Sequence, residues 1–368
     1  MYPTKAIINL TNLKFNYLNV RKKVKNTKVL AVVKADAYGH GVKGVVEALN
    51  TLGDKKPDYF GVASYDEGAE VRGLKVKQPI LVFAPVSEDV LPAVVKNDLC
   101  ATLTSPDDLK FLAKYNSRKK VKVHIKIDTG MGRLGLDYDT ALETIKKLKK
   151  LKNVSVEGIY SHFATSDAKD KTFTLLQFER FMKVINGLKE EKINYGIAHI
   201  ANSAAIIDLP ETYLDMVRIG ISLYGYYPSD ETTQSIKIKP VMSLVSSVAS
   251  SKIVKKGESV SYNRRFFAKE DTRIVSVSCG YADGVNRGLT NKICAIINGK
   301  IYPGVGTVTM DRIMFDVGKD KVNRGAEVIL IGSKKGKTIT AADWAKTLNT
   351  IPYEITCNIA KRVPRVFL

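Results

Sequence analysis

The sequence is poor in the features that mark several protein classes. Its four cysteines, Cys100, Cys279, Cys294 and Cys357, lie far apart and form no CxxC pair. That argues against a disulfide framework or a cysteine zinc site and fits reduced, mostly buried thiols in an intracellular chain. The four histidines, His40, His124, His162 and His199, show no HxxxH or HxH spacing and no attendant carboxylate, so no metal is expected. No run approaches the roughly 18 apolar residues needed to cross a bilayer. The opening MYPTKAIINL lacks the basic segment, apolar core and small-residue cleavage site of an export signal, so a cytoplasmic, non-membrane chain is expected. Internal repeats and low-complexity tails are absent too.

Acidic residues are also short in number: 37 Asp and Glu stand against 58 Lys and Arg, a net charge of +21 over 368 residues. The lysines are scattered through segments such as KKVKNTK, SRKKVK, KKLKKLK and KKGKT, with no aromatic residues between them to stack bases. This reads as a solvated surface, and no nucleic-acid partner is expected. The remaining composition, 45% hydrophobic and 26% charged, is that of a globular protein, and the length allows two cores.

From about residue 28 to 225, eight β-rich runs alternate with helical stretches. The runs are VLAVVK, YFGVAS, PILVFA, DLCATL, VKVHIKID, VEGIYSH, YGIAHI and LDMVRIG; the stretches between them include KGVVEALNTLG, YDEGAEVRGL, LETIKKLKKL and LLQFERFMKVINGLKEE. Eight such units predict an α/β fold, a closed (β/α)₈ TIM-type barrel, with an open doubly wound sheet as the alternative. The polar segment PSDETTQSIKIK marks a boundary. Beyond it VMSLVSSVASSKIV, ESVSY, TRIVSVSCG, KICAIING, KIYPGVGTV and AEVILIG read as strands of a smaller β domain, with one late helix at ITAADWAKTLN capped by Thr340. The expected division is a barrel over 11–230 and a β domain over 231–368, residues 1–10 adding a strand to the latter.

Barrel enzymes place reactive groups where strands end. Lys34 closes the first strand in AVVKADAYGHG, where desolvation would lower its pKa toward a nucleophilic amine; a lysine merely snorkelling from a strand end reads equally well. Tyr38, four residues on, is a donor for an anion. The fifth strand leads into TGMGRLG, with Arg133 in a glycine-rich loop and Lys126 on the strand itself. The sixth and seventh strands end in His162, His199, Asn202 and Ser203, and the eighth in Arg218, Gly220 and Ile221, near where barrels commonly bind phosphate. Tyr262, Tyr281 and Asp283 carry polar tips in the β domain; by themselves they read as packing residues.

Taken in order, AVVKADAYGHG, IDTGMGRLG, HFATSD, HIANSAA, VRIGISLYG, SYN, CGYADGVNR, TVTMD and PYEITCNIAKRVPRVF resemble the alanine racemase family over essentially the whole chain. The resemblance implies an enzyme that interconverts L- and D-alanine on pyridoxal 5'-phosphate and supplies D-alanine for peptidoglycan. Lys34 would hold the cofactor and exchange the α-proton on one face. Tyr262, reaching in from the partner of a homodimer, would do so on the other. Tyr38, Asn202, Ser203, Gly220, Ile221 and Tyr353 would lie on the phosphate side. Arg133 would contact the phenolic oxygen, supported by Lys126, which is carbamylated in some relatives. His162 would orient Arg218 toward the pyridine nitrogen. Met310 and Arg133 would bind the substrate carboxylate, Tyr281 would line the entrance and Asp311 would support it. Against the family pattern, Asn263 and Arg264 follow Tyr262 where relatives usually have Gly and a small residue. Thr307 stands where Arg is frequent and Thr309 where Cys or Ser is common, and these departures were expected to bear on substrate breadth at the entrance.

Competing readings are a racemase of serine, lysine or several amino acids, a decarboxylase of the same architecture, and a non-catalytic pyridoxal-phosphate carrier. The decarboxylases put a carboxylate opposite the pyridine nitrogen, where this chain has Arg218. The carriers end after the barrel, whereas about 130 residues follow it here.

Overall fold

A computed structural model describes residues 3–368. The chain divides into two compact units. One comprises Leu13–Ala37 and Val42–Lys239; the other comprises the chain up to Asn12, Tyr38–Gly41 and Pro240–Leu368.

The strands in chain order begin with β1 (Lys5–Ile8), β2 (Lys28–Val32), β3 (Tyr59–Val62), β4 (Ile80–Pro85) and β5 (Cys100–Leu103). They continue with β6 (Val121–Asp128), β7 (Leu136–Asp137), β8 (Val154–Tyr160), β9 (Ile197–His199) and β10 (Met216–Ile219). Eight of them form one parallel sheet in the order β10-β2-β3-β4-β5-β6-β8-β9, and β7 attaches to β6. The eight expected runs all became these strands. Their Val, Ile, Leu and Ala side chains are buried on both faces, which is why the sequence shows apolar runs there rather than alternation. Backbone bonds from Asp215 N to Ala198 O (3.1 Å) and from Arg218 N to Ala201 O (2.9 Å) join the two ends. The Asp215 carboxylate also accepts from Ala198 N at 2.7 Å. The sheet is therefore a closed barrel, not an open sheet.

Helices at Val42–Asn50, Tyr65–Gly73, Ala141–Lys149 and Thr172–Glu190 follow the predicted stretches. That at Tyr65–Gly73 opens on a reciprocal cap between Ser64 and Glu67. No helix among the described residues is long and apolar enough to cross a membrane.

The second unit holds β1 together with β11 (Met242–Val254), β12 (Thr272–Val277), β13 (Cys294–Ile297), β14 (Lys300–Pro303), β15 (Ile313–Gly318), β16 (Glu327–Lys334), β17 (Lys337–Ile339) and β18 (Arg365–Phe367). The backbone path is β14-β13-β16-β11-β1-β18, with β12 bridging β11 and β15. Along β11 burial alternates residue by residue through Met242, Leu244, Ser246 and Val248, as a sheet covered on one face requires. Two expectations need correction here. ESVSY is not a strand: Ser259 makes a single bridge to Phe267, and the chain then turns. Two late helices exist rather than one, since Pro352–Cys357 follows Ala341–Leu348; the second has only six residues and opens on Pro352 at its first position.

Candidate active site

Lys34 lies half-buried two residues beyond the end of β2, and the backbone that follows it is unusual. Ala35, Asp36 and Ala37 have φ of 52°, 51° and 54° with ψ near 50°, and Tyr38 has φ of 54°. Four successive non-glycine residues thus form a left-handed helical turn, a conformation that costs L-residues roughly 1–2 kcal/mol each. Polar tethers hold it. The Glu67 carboxylate accepts from Ala35 N at 2.7 Å, Asp36 Oδ1 accepts from Val42 N at 2.7 Å, and Ala37 N donates to Val33 O at 2.9 Å. Strain of this kind persists only where the surroundings over-determine it, and such places cluster at functional sites.

The ends of β6, β8, β9 and β10 bring cations together. Arg218, 4% exposed, donates from NH1 to His199 Nδ1 (2.8 Å). Its NH2 points at Ser161 O (2.7 Å), Ile200 O (2.9 Å) and His162 Nδ1 (3.1 Å). These four bonds all use NH1 and NH2. Lys126, 6% exposed, donates to Ile127 O at 3.1 Å. Its Nζ and the Arg218 Cζ lie 5.2 and 5.4 Å from the centre of the Tyr160 ring, which stacks on His199 at 5.0 Å. Burial, with Arg218 beside it, pulls the Lys126 amine down to about 7. Burial and then Arg218, Lys126, Arg133 and Lys34 hold His162 well below the usual imidazole range. A neutral histidine therefore sits against the Arg218 guanidinium, and the field at these strand ends favours an anion. Arg133 itself is exposed on the loop after β6.

Beside this cluster, Ser203 is buried and its Oγ accepts from Gly220 N at 2.9 Å; Ile221 follows, fully buried. Asn202 caps the helix Ser203–Asp208 by accepting from Ala205 N (3.1 Å) and also accepts from Ser166 Oγ (2.9 Å).

In the second unit the rings of Tyr38 and Tyr353 are 6.0 Å apart, and burial, then Tyr353 and Cys357, push the Tyr38 hydroxyl far up. The other predicted residues of this unit gather on one segment. Tyr281 N donates to Thr309 O (2.9 Å) and Ala282 N to Met310 O (3.0 Å). A side chain at Gly280 would meet both of those carbonyls at 2.3 Å, so only glycine allows the approach. Arg362 ties the arrangement together, bonding Asp283 Oδ1 and Asp311 Oδ1 at 2.7 Å each. Tyr262, Tyr281 and Met310 remain exposed, Tyr262 by 70%.

A family model for the N-terminal domain of alanine racemase matches residues 8–228, and one for the C-terminal domain matches 241–367. The chain belongs to the alanine racemase family. Alanine racemase 2 of Caldanaerobacter subterraneus subsp. tengcongensis is 42% identical, covering all of this chain and 95% of the relative. The alanine racemase of Methanococcus maripaludis is 41% identical over 100% and 99%. Among solved structures, the alanine racemase of Clostridium difficile superposes with a TM-score of 0.93 at 36% identity, covering 100% and 96%. That of Bacillus anthracis with bound L-Ala-P superposes with a TM-score of 0.93 at 32%, covering 100% and 95%.

Sequence reasoning pairs His162 with Arg218 and names His199 at a strand end without that partner; Ser161 and Tyr160, which complete the arginine's surroundings, it does not single out. Their positions at strand ends were visible; which of them meet across the barrel was not. Thr307 is 1% exposed, and its hydroxyl donates to the Tyr262 carbonyl.

Proposed function

We propose that this chain is an alanine racemase that interconverts L- and D-alanine with pyridoxal phosphate. The observation that carries the reading is the buried Arg218, held by His199, His162, Ser161 O and Ile200 O at the ends of the barrel strands, with Lys126 against the same Tyr160 ring. The residues fit the cofactor. A half-buried lysine at a strand end suits its aldehyde, and a buried hydroxyl at Ser203 beside Gly220 and Ile221 suits its phosphate, with Asn202, Tyr38 and Tyr353. Arg218 suits its ring nitrogen, because NH1 and NH2 carry all four protein bonds and Nε carries none of them. When bound, the cofactor supplies the electron sink that makes an α-proton removable.

The chain's own residues then divide the work. Lys34 takes or returns the α-proton on one face of the substrate and Tyr262 of a second copy on the other. Each takes or returns a proton at the substrate's α-carbon, the two from opposite faces. Arg133 and the Met310 amide hold the substrate carboxylate. Lys126 supports Arg133, His162 fixes Arg218, Tyr281 lines the entrance and Asp311 supports it. A fixed arginine donates and does not accept, which disfavours the decarboxylase reading.

The test is to incubate the protein and added pyridoxal phosphate with each L-amino acid and measure the D-enantiomer, with Lys34→Ala and Tyr262→Phe alongside. Alanine should lead, and both variants should lose racemisation by a factor of at least about 10³, roughly 4 kcal/mol of barrel-site chemistry. Mixing the two variants should restore part of the activity if the site draws on two chains. No D-alanine from the parent protein refutes the proposal.

A further inference from the structure

Tyr262 stands on a loop whose conformation is held by unusual means. Val260 N donates to Phe266 O at 3.1 Å, so residues 261–265 form the tip of a tight hairpin. Within it Ser261, Asn263 and Arg264 have φ of 69°, 63° and 50°, none of them glycine. The base rests on a buried cluster of Val254, Val260, Ala268, Ile274 and Val305. A tip strained in this way needs fixed partners to keep one shape.

The partners lie some 45 residues on. Ser261 Oγ donates to Thr307 O at 2.8 Å, and Thr307 Oγ1 donates to Tyr262 O at 2.7 Å. Ser261 thus bonds the Thr307 backbone, while the Thr307 hydroxyl bonds the carbonyl of the next residue, Tyr262. A second clamp closes the far end. Asn291 Nδ2 donates to Arg265 O at 3.0 Å while its Oδ1 accepts from Gly306 N at 2.6 Å. Gly306 has φ of +73°, and a Cβ there would meet Val260 O at 2.6 Å, so the latch segment approaches as closely as backbones can. Thr307 is buried, whereas the side chain of Tyr262, the residue it bonds, is exposed to solvent.

We propose that Thr307, assisted by Ser261 and Asn291, is a positioning residue that sets where the Tyr262 hydroxyl is presented. It touches no reacting atom. It acts by keeping the strained tip in one conformation, so that the phenol meets one face of the substrate at a fixed place. The inference rests on Tyr262 being an acid/base group. Its physical core, the latch on the turn, is testable without activity.

The experiment compares Thr307→Val, which keeps the shape and removes the donor, with Thr307→Ser, which restores it. Amide hydrogen exchange of the cofactor-free protein should show the 260–266 segment exchanging at least about 10-fold faster in the valine variant, at parent rates in the serine variant, and no change in the barrel. The loaded enzymes are then followed in D₂O from L- and from D-alanine separately. Each enantiomer loses its α-proton to a different base, so a misplaced Tyr262 must act unequally. In Thr307→Val, racemisation from both enantiomers should fall about 10-fold or more, because either direction needs both bases and the equilibrium constant is one, and so should deuterium uptake with retention from the enantiomer served by Tyr262. Uptake with retention from the other, served by Lys34, should stay within about 3-fold of the parent, and Thr307→Ser should recover both. Unchanged amide exchange in Thr307→Val overturns the latch whatever the activity. Equal losses of uptake with retention from both enantiomers, with Tyr262→Phe still discriminating between them, overturn the positioning role. If Tyr262→Phe itself fails to discriminate, it is the acid/base reading of Tyr262 that falls, and amide exchange alone then decides the latch.

Discussion

Arg218 NH1 lies 2.8 Å from His199 Nδ1, and the direction of that bond fixes the protonation of two histidines. A guanidinium can only donate, so His199 must accept at Nδ1 and carry its proton on Nε2. That proton faces His124 Nδ1 at 3.1 Å, which leaves His124 protonated on its own Nε2. Burial and then Arg218 keep both rings neutral, His199 well below the usual range and His124 down to about 3.

The expected outcome is that His124, His162 and His199 show no titration between pH 5 and 8 in ¹⁵N spectra of the folded protein. The sign follows for stability. The unfolded chain takes up protons on these rings near pH 6.5 and the folded one does not, so their contribution is lost as pH falls below about 6.5. His199→Phe should destabilise the fold by about 1–3 kcal/mol by stranding a buried donor of Arg218, while His199→Gln, which offers an acceptor, should destabilise it less. Urea midpoints measure both.

Lys126 makes a second pH prediction. Its amine falls from 10.5 to about 7 because burial, and secondly Arg218, penalise the charge. Between pH 10.5 and about 7 the unfolded chain holds the proton and the folded chain does not, so stability drops as pH is lowered through that window. Lys126→Met removes the burden. In cofactor-free protein and buffer freed of carbon dioxide, the variant should melt several degrees above the parent at pH 6, since about 1 kcal/mol moves a large domain's midpoint by roughly 2–4 °C. The gap should close as pH rises toward 10. A gap independent of pH would mean the amine is not titrating.

These networks mark the boundary of what the residue order disclosed. The eight barrel strands were legible because a strand buried on both faces must be written as a run of apolar residues. Thr340 was legible as a cap because its bond to Asp343 N is local. The strand Ile313–Gly318, which follows closely on the TVTMD motif, is not among the runs read from the sequence. The ESVSY run alternates like a strand, but it turns at Ser261, and nothing in its composition announces that a serine will take positive φ. The left-handed turn after Lys34 was equally silent: Ala-Asp-Ala-Tyr has no glycine, and its shape is imposed by Glu67 and by the Asp36 bond to Val42. Individual site residues could be named because they sit at strand ends. The bonds among them depend on closure of the barrel, which sequence spacing does not encode.

That turn inverts the usual effect of glycine. Ala35 is exposed and holds φ of 52°, so glycine there relieves roughly 1 kcal/mol of strain. The added freedom of the unfolded chain offsets about 0.4–1 kcal/mol of this. Ala35→Gly should therefore leave the urea midpoint unchanged or slightly raised. Ala35→Val, whose branched side chain opposes the left-handed region more strongly, should lower stability by at least about 1 kcal/mol. A marked loss in the glycine variant would show that the turn is not strained at this position.

Arg218→Glu tests the electronic role of the arginine. How strongly the cofactor would withdraw electrons depends on whether its ring nitrogen carries a proton; a donor at Arg218 would keep that proton away, whereas a carboxylate would accept it. The surroundings can adjust in part: neutral His199 and His162 can move their protons to Nδ1 and donate to the new carboxylate, because neither is ionised. Ser161 O and Ile200 O cannot adjust, and they would face the glutamate as acceptors. The variant should consequently be less stable, racemise alanine more slowly, and release more pyruvate by transamination for each racemisation event. Pyruvate and D-alanine measured in one incubation give the ratio directly. The same ratio in variant and parent would mean that the guanidinium secures the fold without steering the reaction.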